Sequence, residues 1–575
     1  MPDLKVLLIA MPWNRSDYPS IQIGMLKAIL NENNIQCEAY YPYLNLNHSI
    51  GSELYFKVSN NLHPILSESF FCNVYNKRLS EEFVSDCILT GELSYEEVKQ
   101  VYHKCNDFIN QLAADVKWIE YTHVGFTCTF NQIWSSLALA KIINRINPDI
   151  KIVFGGKNFS NESSAWFIDN FKFINAIFIG PGENTFLNYL KLDDSNGQII
   201  QSRNDIDQNI TLPDYSEYLS SAYLDKDSVN LVLAGSSGCD YGKCTFCVLN
   251  SEDTYILYRK NELLNHIETL NNRYQFHSIE FSDTSLSKYL YDDASIIKLK
   301  EMNLVLYGEM RAVLNEKKAS NLRMAGFRGL QIGIESFSSN VLRLMKKPAD
   351  LITNIYNLRL CYENEIECAY NIILDYPGTK RQDIIEMMDF IPKIFHLTPP
   401  AALLNFSLMF NSYVYRNPHK FNIVNIRPSK YYYHFGNTSF NRSYPYQYYD
   451  YDTENEDLAT LYKAFNELCF KWLDVYDATL SLLRIEAFYK KYLIVDERGE
   501  KKEEILINEA DYQCILYCSI PRNLKDAYFK FDQKIINKLI EKDILIIDSN
   551  KIVSLIVTNK KRNMSKAESI ESYFS

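Results

Sequence analysis

No stretch of this 575-residue chain approaches the ~18 consecutive apolar residues of a membrane-crossing helix. A secretory start is missing too: the segment Met1 to Ala10 has no basic region before an apolar run that is itself too short. Positive charge is in deficit, with 60 Lys and Arg against 71 Asp and Glu, a formal net charge of -11 and a pI near 5.5. That balance argues against a broad footprint for nucleic acid or an anionic membrane, while leaving room for a local basic groove. The cysteines supply no second CxxC pair to complete a zinc ribbon, since Cys514 and Cys518 form only CxxxC. Thirteen cysteines in a chain without a secretory start imply reduced thiols and a cytoplasmic location. What the chain has in quantity is apolar material: 47% hydrophobic and 14% aromatic residues give ample core for three or four domains. Tyrosine reaches 42 residues, with a cluster from Tyr431 to Tyr451 that reads as packed or half-exposed loop.

The fold class expected is α/β. Residues 1–195 alternate short β-branched runs with amphipathic helical patterns, as a doubly wound parallel sheet requires. Strands are expected at Lys5 to Ile9, Cys37 to Tyr41, His123 to Thr127, Lys151 to Phe154 and Ala176 to Ile179, with helices over Ile21 to Leu30 and Ser136 to Ile146. A helical insertion interrupts the alternation at about 51–117. Glycines punctuate the strand ends at Gly125, Gly155-Gly156 and Gly180-Pro181-Gly182-Glu183, where a parallel sheet places ligand loops. A linker, 196–225, leads to a second alternating unit at 226–450. Its six strand candidates are Asn230 to Ala234, Ser278 to Phe281, Val305 to Glu309, Gly329 to Ile334, Glu367 to Leu374 and Ala402 to Leu408, separated by helices such as Glu262 to Asn272. Residues 454–575 read as a largely helical domain with a winged-helix-like ending, in which Ile535 to Lys542 precedes the apolar runs Ile544 to Ile547 and Lys551 to Val557. Such an ending recognises a partner or caps the domain before it.

Three cysteines, Cys239, Cys244 and Cys247, stand on one loop directly after the first strand of the second unit. Three thiolates are one short of closing a tetrahedral zinc or a four-cysteine cluster, so the metal keeps an open position for a ligand. With Phe246 before the last cysteine, the arrangement resembles the radical S-adenosylmethionine enzymes, whose three cysteines hold a four-iron four-sulfur cluster. The usual Cx3CxxC is here Cx4CxxC, one residue longer. The resemblance implies an open (β/α)6 partial TIM barrel with cofactors at the carboxyl ends of the strands. It also implies that S-adenosylmethionine takes the open iron and is split to a deoxyadenosyl radical.

Further residues fall at the strand ends that this resemblance uses. Ser282 and Asp283 follow the second strand, Glu309 ends the third, and Gly333-Ile334-Glu335-Ser336 ends the fourth and resembles the GIES signature whose glutamate approaches the cofactor ribose. A carboxylate accepts two hydrogen bonds at once, which suits a ribose diol. Asp375-Tyr376-Pro377-Gly378 resembles the FPGE turn, and His396, alone, reads as a packed histidine.

The first domain resembles a Rossmann-like cobalamin-binding domain, although its DxHxxG signature is absent and His48 stands in the wrong context. The resemblance places Met11, Pro12, Trp13, Gly125, Phe126, Thr127, Gly155, Gly156, Gly180, Gly182 and Glu183 against the corrin. With Arg259-Lys260, Ala325-Gly326-Phe327 and Leu342 to Lys347, the motifs together resemble the cobalamin-dependent radical enzymes that mature ribosomally synthesised peptides, the C-methyltransferases. Departures are Val248, in Cys247-Val248-Leu249-Asn250 where that group has CGLN, and Thr379 where it has PGE. The resemblance implies a cluster, S-adenosylmethionine and cobalamin as cofactors. It implies a precursor peptide as substrate, hydrogen abstraction from an unactivated carbon followed by methyl transfer, and an electron donor such as flavodoxin or ferredoxin. Alternatives are a cobalamin-independent peptide epimerase or cross-linking enzyme, a transfer-RNA-modifying radical enzyme, against which the acidic charge weighs, and a noncatalytic iron-sulfur or zinc protein that binds a partner.

Overall fold

The computed structural model describes residues 4–129, 131–192, 198–202, 210–249, 255–435, 446–453, 458–478, 483–488, 491–499 and 502–557. Part of the tyrosine-rich stretch, 436–445, and Asn250 lie outside them. The chain divides into two compact units: residues 1–233, 265–278 and 428–447 form the first, and residues 234–264, 279–427 and 448–575 the second.

In the first unit, β1 (Lys5–Ala10), β2 (Gln36–Tyr40), β3 (His123–Thr127), β4 (Lys151–Gly155), β5 (Ala176–Ile179) and β6 (Gln198–Gln201) make one sheet in the order β2-β1-β3-β4-β5-β6. All neighbours run parallel. Helices cover such a sheet, so its central strands are largely buried, and every residue of β3 is out of solvent. The order reverses between β1 and β3, which makes their carboxyl ends the switch point where open parallel sheets bind ligands. β6 falls inside the stretch expected to be linker, where Gln198 and Gln201 dilute the apolar signal of an edge strand. The insertion is helical as expected, with helices Pro64–Asn76, Glu81–Leu89 and Tyr95–Asp115. Ser94 and Glu97 start the last of these with reciprocal capping bonds.

The boundary between the units falls at β7 (Leu231–Leu233). Beyond it, β8 (Ser236–Ser237) and β9 (Ile256–Leu257) form a small antiparallel ladder. Within the second unit β10 (Ser278–Phe281), β11 (Val305–Arg311), β12 (Phe327–Gly333) and β13 (Glu367–Ala369) are consecutive neighbours. β14 (Asn371–Leu374) and β15 (Ala402–Asn405) continue as a parallel pair, joined to the end of β12 by a bridge between Glu335 and Ile372. The single strand expected over Glu367 to Leu374 is therefore two, and the stretch Ala402 to Leu408 is also divided, with Leu408 opening β16 (Leu408–Met409).

Two departures concern the carboxyl-terminal part. It clusters with the second unit instead of standing alone. Its middle is also strand: after β17 (Ile423–Pro428), β18 (Tyr448–Thr453) and the helix Ala459–Ala478 come β19 (Leu483–Phe488), β20 (Lys491–Asp496) and β21 (Glu503–Ile507), an antiparallel sheet. The helices Glu509–Tyr517, Leu524–Lys530 and Gln533–Glu541 then flank a sheet of β22 (Arg522–Asn523), β23 (Leu545–Asp548) and β24 (Lys551–Ser554), in the order β22-β24-β23. Polar bonds, two of them buried, hold this ending to the helix Leu351–Glu363 and its surroundings. Arg359, 2% exposed, donates to the Ser554 carbonyl, His396 Nε2 meets the Leu555 carbonyl at 2.9 Å, and Lys551 pairs with Asp350 at 2.7 Å. Burial holds His396 down to about pKa 3, so it is neutral and structural.

Candidate active site

The loop from Gly238 to Cys247 carries three half-buried free thiols. It is latched at several points. Thr245 donates its N–H to the Met345 carbonyl at 3.0 Å and its hydroxyl to the Leu344 carbonyl at 3.0 Å, and its carbonyl accepts from Val414 N–H at 3.1 Å. The same hydroxyl lies 2.6 Å from Tyr376 Oη, inside the core built by Val341, Met345, Phe406, Val414 and Phe421. Phe246 packs against that core from the loop side. Each such bond contributes about 1 kcal/mol. Together they fix a segment that has almost no secondary structure of its own. Thr284 also donates to the Gly238 carbonyl, and Tyr241 to the Lys346 carbonyl at 2.7 Å. Gly238 and Gly242, with φ of +76 and +56, supply left-handed turns on either side of Cys239 and Asp240 that favour glycine.

Burial raises the Cys244 thiol to about 11 and raises that of Cys247, and the Lys347 ammonium works against burial at both. Gly242 N–H donates to Cys239 Sγ at 3.5 Å. Among the described residues no three His, Cys, Asp or Glu side chains converge on a single ion. A four-iron cluster does not require that: each thiolate takes a different iron, so the sulfurs stand around the cluster and not around a point. Free thiols on one loop, amide donors to sulfur and an adjacent cation fit such a group.

Glu335 follows β12 at φ +61, a backbone state that turns its side chain back toward Gly333. Its Oε1 pairs with Lys347 Nζ at 3.0 Å, both side chains being nearly out of solvent at 16% and 5% exposure. A Cβ at Gly333 would stand 2.8 Å from that ammonium and 3.0 Å from the carboxylate, so glycine is the residue that leaves the pair its room. Glu309, expected at the end of its strand, lies within β11, which runs on to Arg311, and its carboxylate has no partner among the described residues. Burial, and secondarily the charge on Glu335, push it up to about 6. A desolvated, unpartnered carboxyl beside a second carboxylate is the kind of strain that functional sites keep for a ligand.

Asp283 and Ser282 part company. Asp283, 1% exposed, accepts from Gly235 N–H at 2.7 Å, Ser236 Oγ at 2.6 Å and Ser287 N–H at 3.2 Å, and burial raises it to about 6. Its oxygens are consumed inside the protein. The Asp283 side chain braces the chain just before the cysteine loop. Ser282 is exposed.

The residues expected against a corrin divide similarly. Met11 and Trp13 are buried at 0% and 3% exposure, and the Trp13 indole lies among Tyr55, Phe70 and Phe71 with its N–H on the Ser67 carbonyl at 2.8 Å. The carbonyls of Met11 and Pro12 accept from Gln132 Nε2 and Ser135 Oγ. Gly125 lies in register between Leu8 and Val153, and a Cβ there would meet Leu8 at 2.8 Å. Phe126 stacks on Phe154 at 5.1 Å and Thr127 is buried. Met11, Pro12, Trp13, Gly125 and Phe126 are thus interior packing and not an open ligand wall. Gly156, at φ +117, lets the chain pass the Cys128 backbone where a Cβ would come within 2.3 Å. Gly155, Gly180, Gly182 and Glu183 remain at the carboxyl ends of β4 and β5, with Gly180 exposed. Thr129 adds a buried hydroxyl without a partner just past β3. His48 is exposed on the helix Tyr43–Ile50 against Tyr223.

Lys347, Tyr376 and Thr245 are site residues whose roles the sequence did not disclose. Lys346-Lys347 and Tyr376 stood in recognisable motifs, but nothing in the string says which of two adjacent lysines turns inward.

Comparison with known proteins places this geometry. Residues 234–391 match the family described as the Radical SAM superfamily. An uncharacterized methyltransferase of Pyrococcus horikoshii is 23% identical over 318 residues, covering 50% of this chain and 67% of its own. The cobalamin-dependent S-adenosylmethionine radical enzyme OxsB, solved with aqua-cobalamin and S-adenosylmethionine, superposes with a TM-score of 0.52 at 14% identity, over 83% of this chain and 68% of its own. The radical S-adenosylmethionine methyltransferase TsrM from Kitasatospora setae, solved with cobalamin and its iron-sulfur cluster, gives a TM-score of 0.52 at 12% identity, over 85% and 92%. The second unit holds a radical S-adenosylmethionine domain, an enzyme domain whose chemistry needs a four-iron cluster and S-adenosylmethionine. The chain shares its fold with the two solved enzymes. Among the described residues no helix is long and apolar enough to cross a membrane.

Proposed function

We propose that this protein is a cobalamin-dependent radical enzyme that methylates an unactivated carbon of a ribosomally synthesised peptide. The observation that carries the radical chemistry is the latched loop of Cys239, Cys244 and Cys247 beside Glu309, Glu335 and Lys347 in a domain of the matching family. Bound there, a cluster and S-adenosylmethionine supply a carbon radical able to take hydrogen from an unactivated position. The chain's own part is to hold and to exclude. The three thiolates hold the irons, Lys347 offsets their negative charge, and Glu335 and Glu309 offer acceptors for ribose hydroxyls. Tyr376 and Phe246 close the loop from its core side.

Cobalamin is supported by the fold shared with OxsB and TsrM and by the order of the first sheet, whose switch point carries the unpartnered Thr129 hydroxyl. A bound corrin supplies the methyl group. In this reading Gly155, Gly180, Gly182, Glu183 and Thr129 receive it, without a histidine ligand from the described residues. The peptide substrate rests on the motif resemblance at Arg259-Lys260, Ala325-Gly326-Phe327 and Leu342 to Lys347.

The test is spectroscopic. Protein purified from cobalamin-supplied cells is expected to carry one corrin by its visible absorbance, unchanged in His48→Ala and lost in Gly155→Trp or Gly182→Trp. A wild type without corrin sinks the methyl-transfer reading and moves the chain to the epimerase or cross-linking class. Loss in His48→Ala shows instead that the ligand has been misassigned.

A further inference from the structure

The two consecutive lysines after the helix Ser339–Leu344 go opposite ways. Lys347 turns inward onto Glu335, whereas Lys346, at φ +52, is exposed and lays its ammonium 3.9 Å from the centre of the Tyr413 ring. Lys420 reaches the same tyrosine and donates to its hydroxyl at 3.0 Å. The two ammonium groups together hold the Tyr413 hydroxyl below its ordinary pKa. A third cation, Lys243 of the cysteine loop, stands over Tyr241, whose hydroxyl is bonded to the carbonyl of Lys346.

No carboxylate is paired with Lys243, Lys346 or Lys420 among the described residues. The nearby acids are engaged elsewhere, Asp240 with Arg311 at 2.6 Å and Glu335 with Lys347 at 3.0 Å. Clustering exposed cations without counter-charge is unfavourable in the free protein. In a chain of net charge -11 it is also against composition. The arrangement becomes favourable when an anionic surface arrives.

Taking the cluster reading above as given, we propose that Lys243, Lys346 and Lys420, gathered on Tyr241 and Tyr413, are the docking surface for an acidic one-electron carrier protein that reduces the cluster. The cysteine loop is bonded directly to the backbone of 344–346 and 414, so a carrier seated on these lysines touches the very segment that holds the irons. Charge complementarity of this kind raises association rate more than final affinity, and salt screens it. With a flavodoxin as carrier the step balances: the anionic flavin hydroquinone gives one electron and becomes the neutral semiquinone, while the oxidised cluster gains that electron.

The experiment uses the full chain with its cluster reconstituted. Reduction by flavodoxin hydroquinone is followed in a stopped-flow spectrophotometer and compared with reduction by photoreduced deazariboflavin, a neutral small reductant. Lys243→Glu/Lys346→Glu/Lys420→Glu is expected to slow flavodoxin by about tenfold or more and to leave deazariboflavin unchanged. The milder Lys346→Gln/Lys420→Gln should fall between, and the wild-type rate with flavodoxin should drop as salt rises. Equal flavodoxin rates in wild type and triple variant overturn the docking surface while leaving the cluster reading intact. Equal slowing of both reductants also overturns it, since the substitutions would then have altered the cluster itself. A wild type that assembles no cluster removes the reading on which the proposal rests.

Discussion

At the scale of single residues the site is a balance of charges out of water. Glu309 is the clearest case, because its carboxyl is raised from 4.5 to about 6 by burial and by Glu335. A carboxyl that holds its proton more tightly when folded favours the folded state at low pH, and that advantage is lost as pH rises from about 4.5 through about 6. Above that window Glu309 destabilises the ligand-free protein by about 2 kcal/mol. Glu309→Gln should therefore raise the melting temperature of ligand-free protein at pH 8 and hardly change it at pH 4. A variant no more stable than wild type at pH 8 would show that Glu309 has a partner in solution. Glu335 carries a different expectation. Glu335→Gln keeps the shape but removes the charge that Lys347 faces, and a hydrogen bond from ribose to a charged acceptor is worth about 1.5–3 kcal/mol. S-adenosylmethionine should bind about ten- to a hundredfold more weakly to the reconstituted variant by equilibrium dialysis. Unchanged binding would assign the pair to structure alone.

Elements decide whether these residues meet. The cysteine loop has no ladder of its own to hold it, so Thr245, Phe246 and the turn after β14 do so instead. Tyr376→Phe removes one buried hydroxyl and leaves the ring in its core; it should cost about 1 kcal/mol of stability. The more telling measurement is iron release to a chelator, which should be faster in the variant, because the latch acts on the loop more than on the fold. Iron loss at the wild-type rate would mean that the remaining bonds of Thr245 suffice. Here the sequence was informative for a physical reason. His123 to Thr127, Ala176 to Ile179 and Ser278 to Phe281 are short strands with buried apolar residues, and each was legible to the residue. β6 was not, since an edge strand with glutamine at both ends carries little apolar alternation. Nor were β19, β20 and β21, whose charged residues read as helix surface. Gly125 and Trp13 looked like ligand contacts because strand-end glycines and aromatics serve ligands as readily as packing. Only the register of Leu8, Gly125 and Val153 tells the two apart.

For the molecule as a whole, the carboxyl-terminal part was separable in composition but not in contacts. Arg359, His396 and Asp350 lie far along the chain from the residues that satisfy them, and sequence patterns do not report such distances. The three cysteines, by contrast, were legible at once, because their chemistry is local to one loop. In the function proposed, this loop holds a four-iron cluster used to cleave S-adenosylmethionine. The direct measurement is deoxyadenosine formation by anaerobically reconstituted, reduced protein, with iron and sulfide determined on the same sample. Wild type should hold about four irons per chain and release deoxyadenosine, and Cys239→Ala/Cys244→Ala/Cys247→Ala should lose both while keeping the fold by circular dichroism. Iron content unchanged in the triple variant, or a full cluster in wild type with no deoxyadenosine formed, would contradict the account.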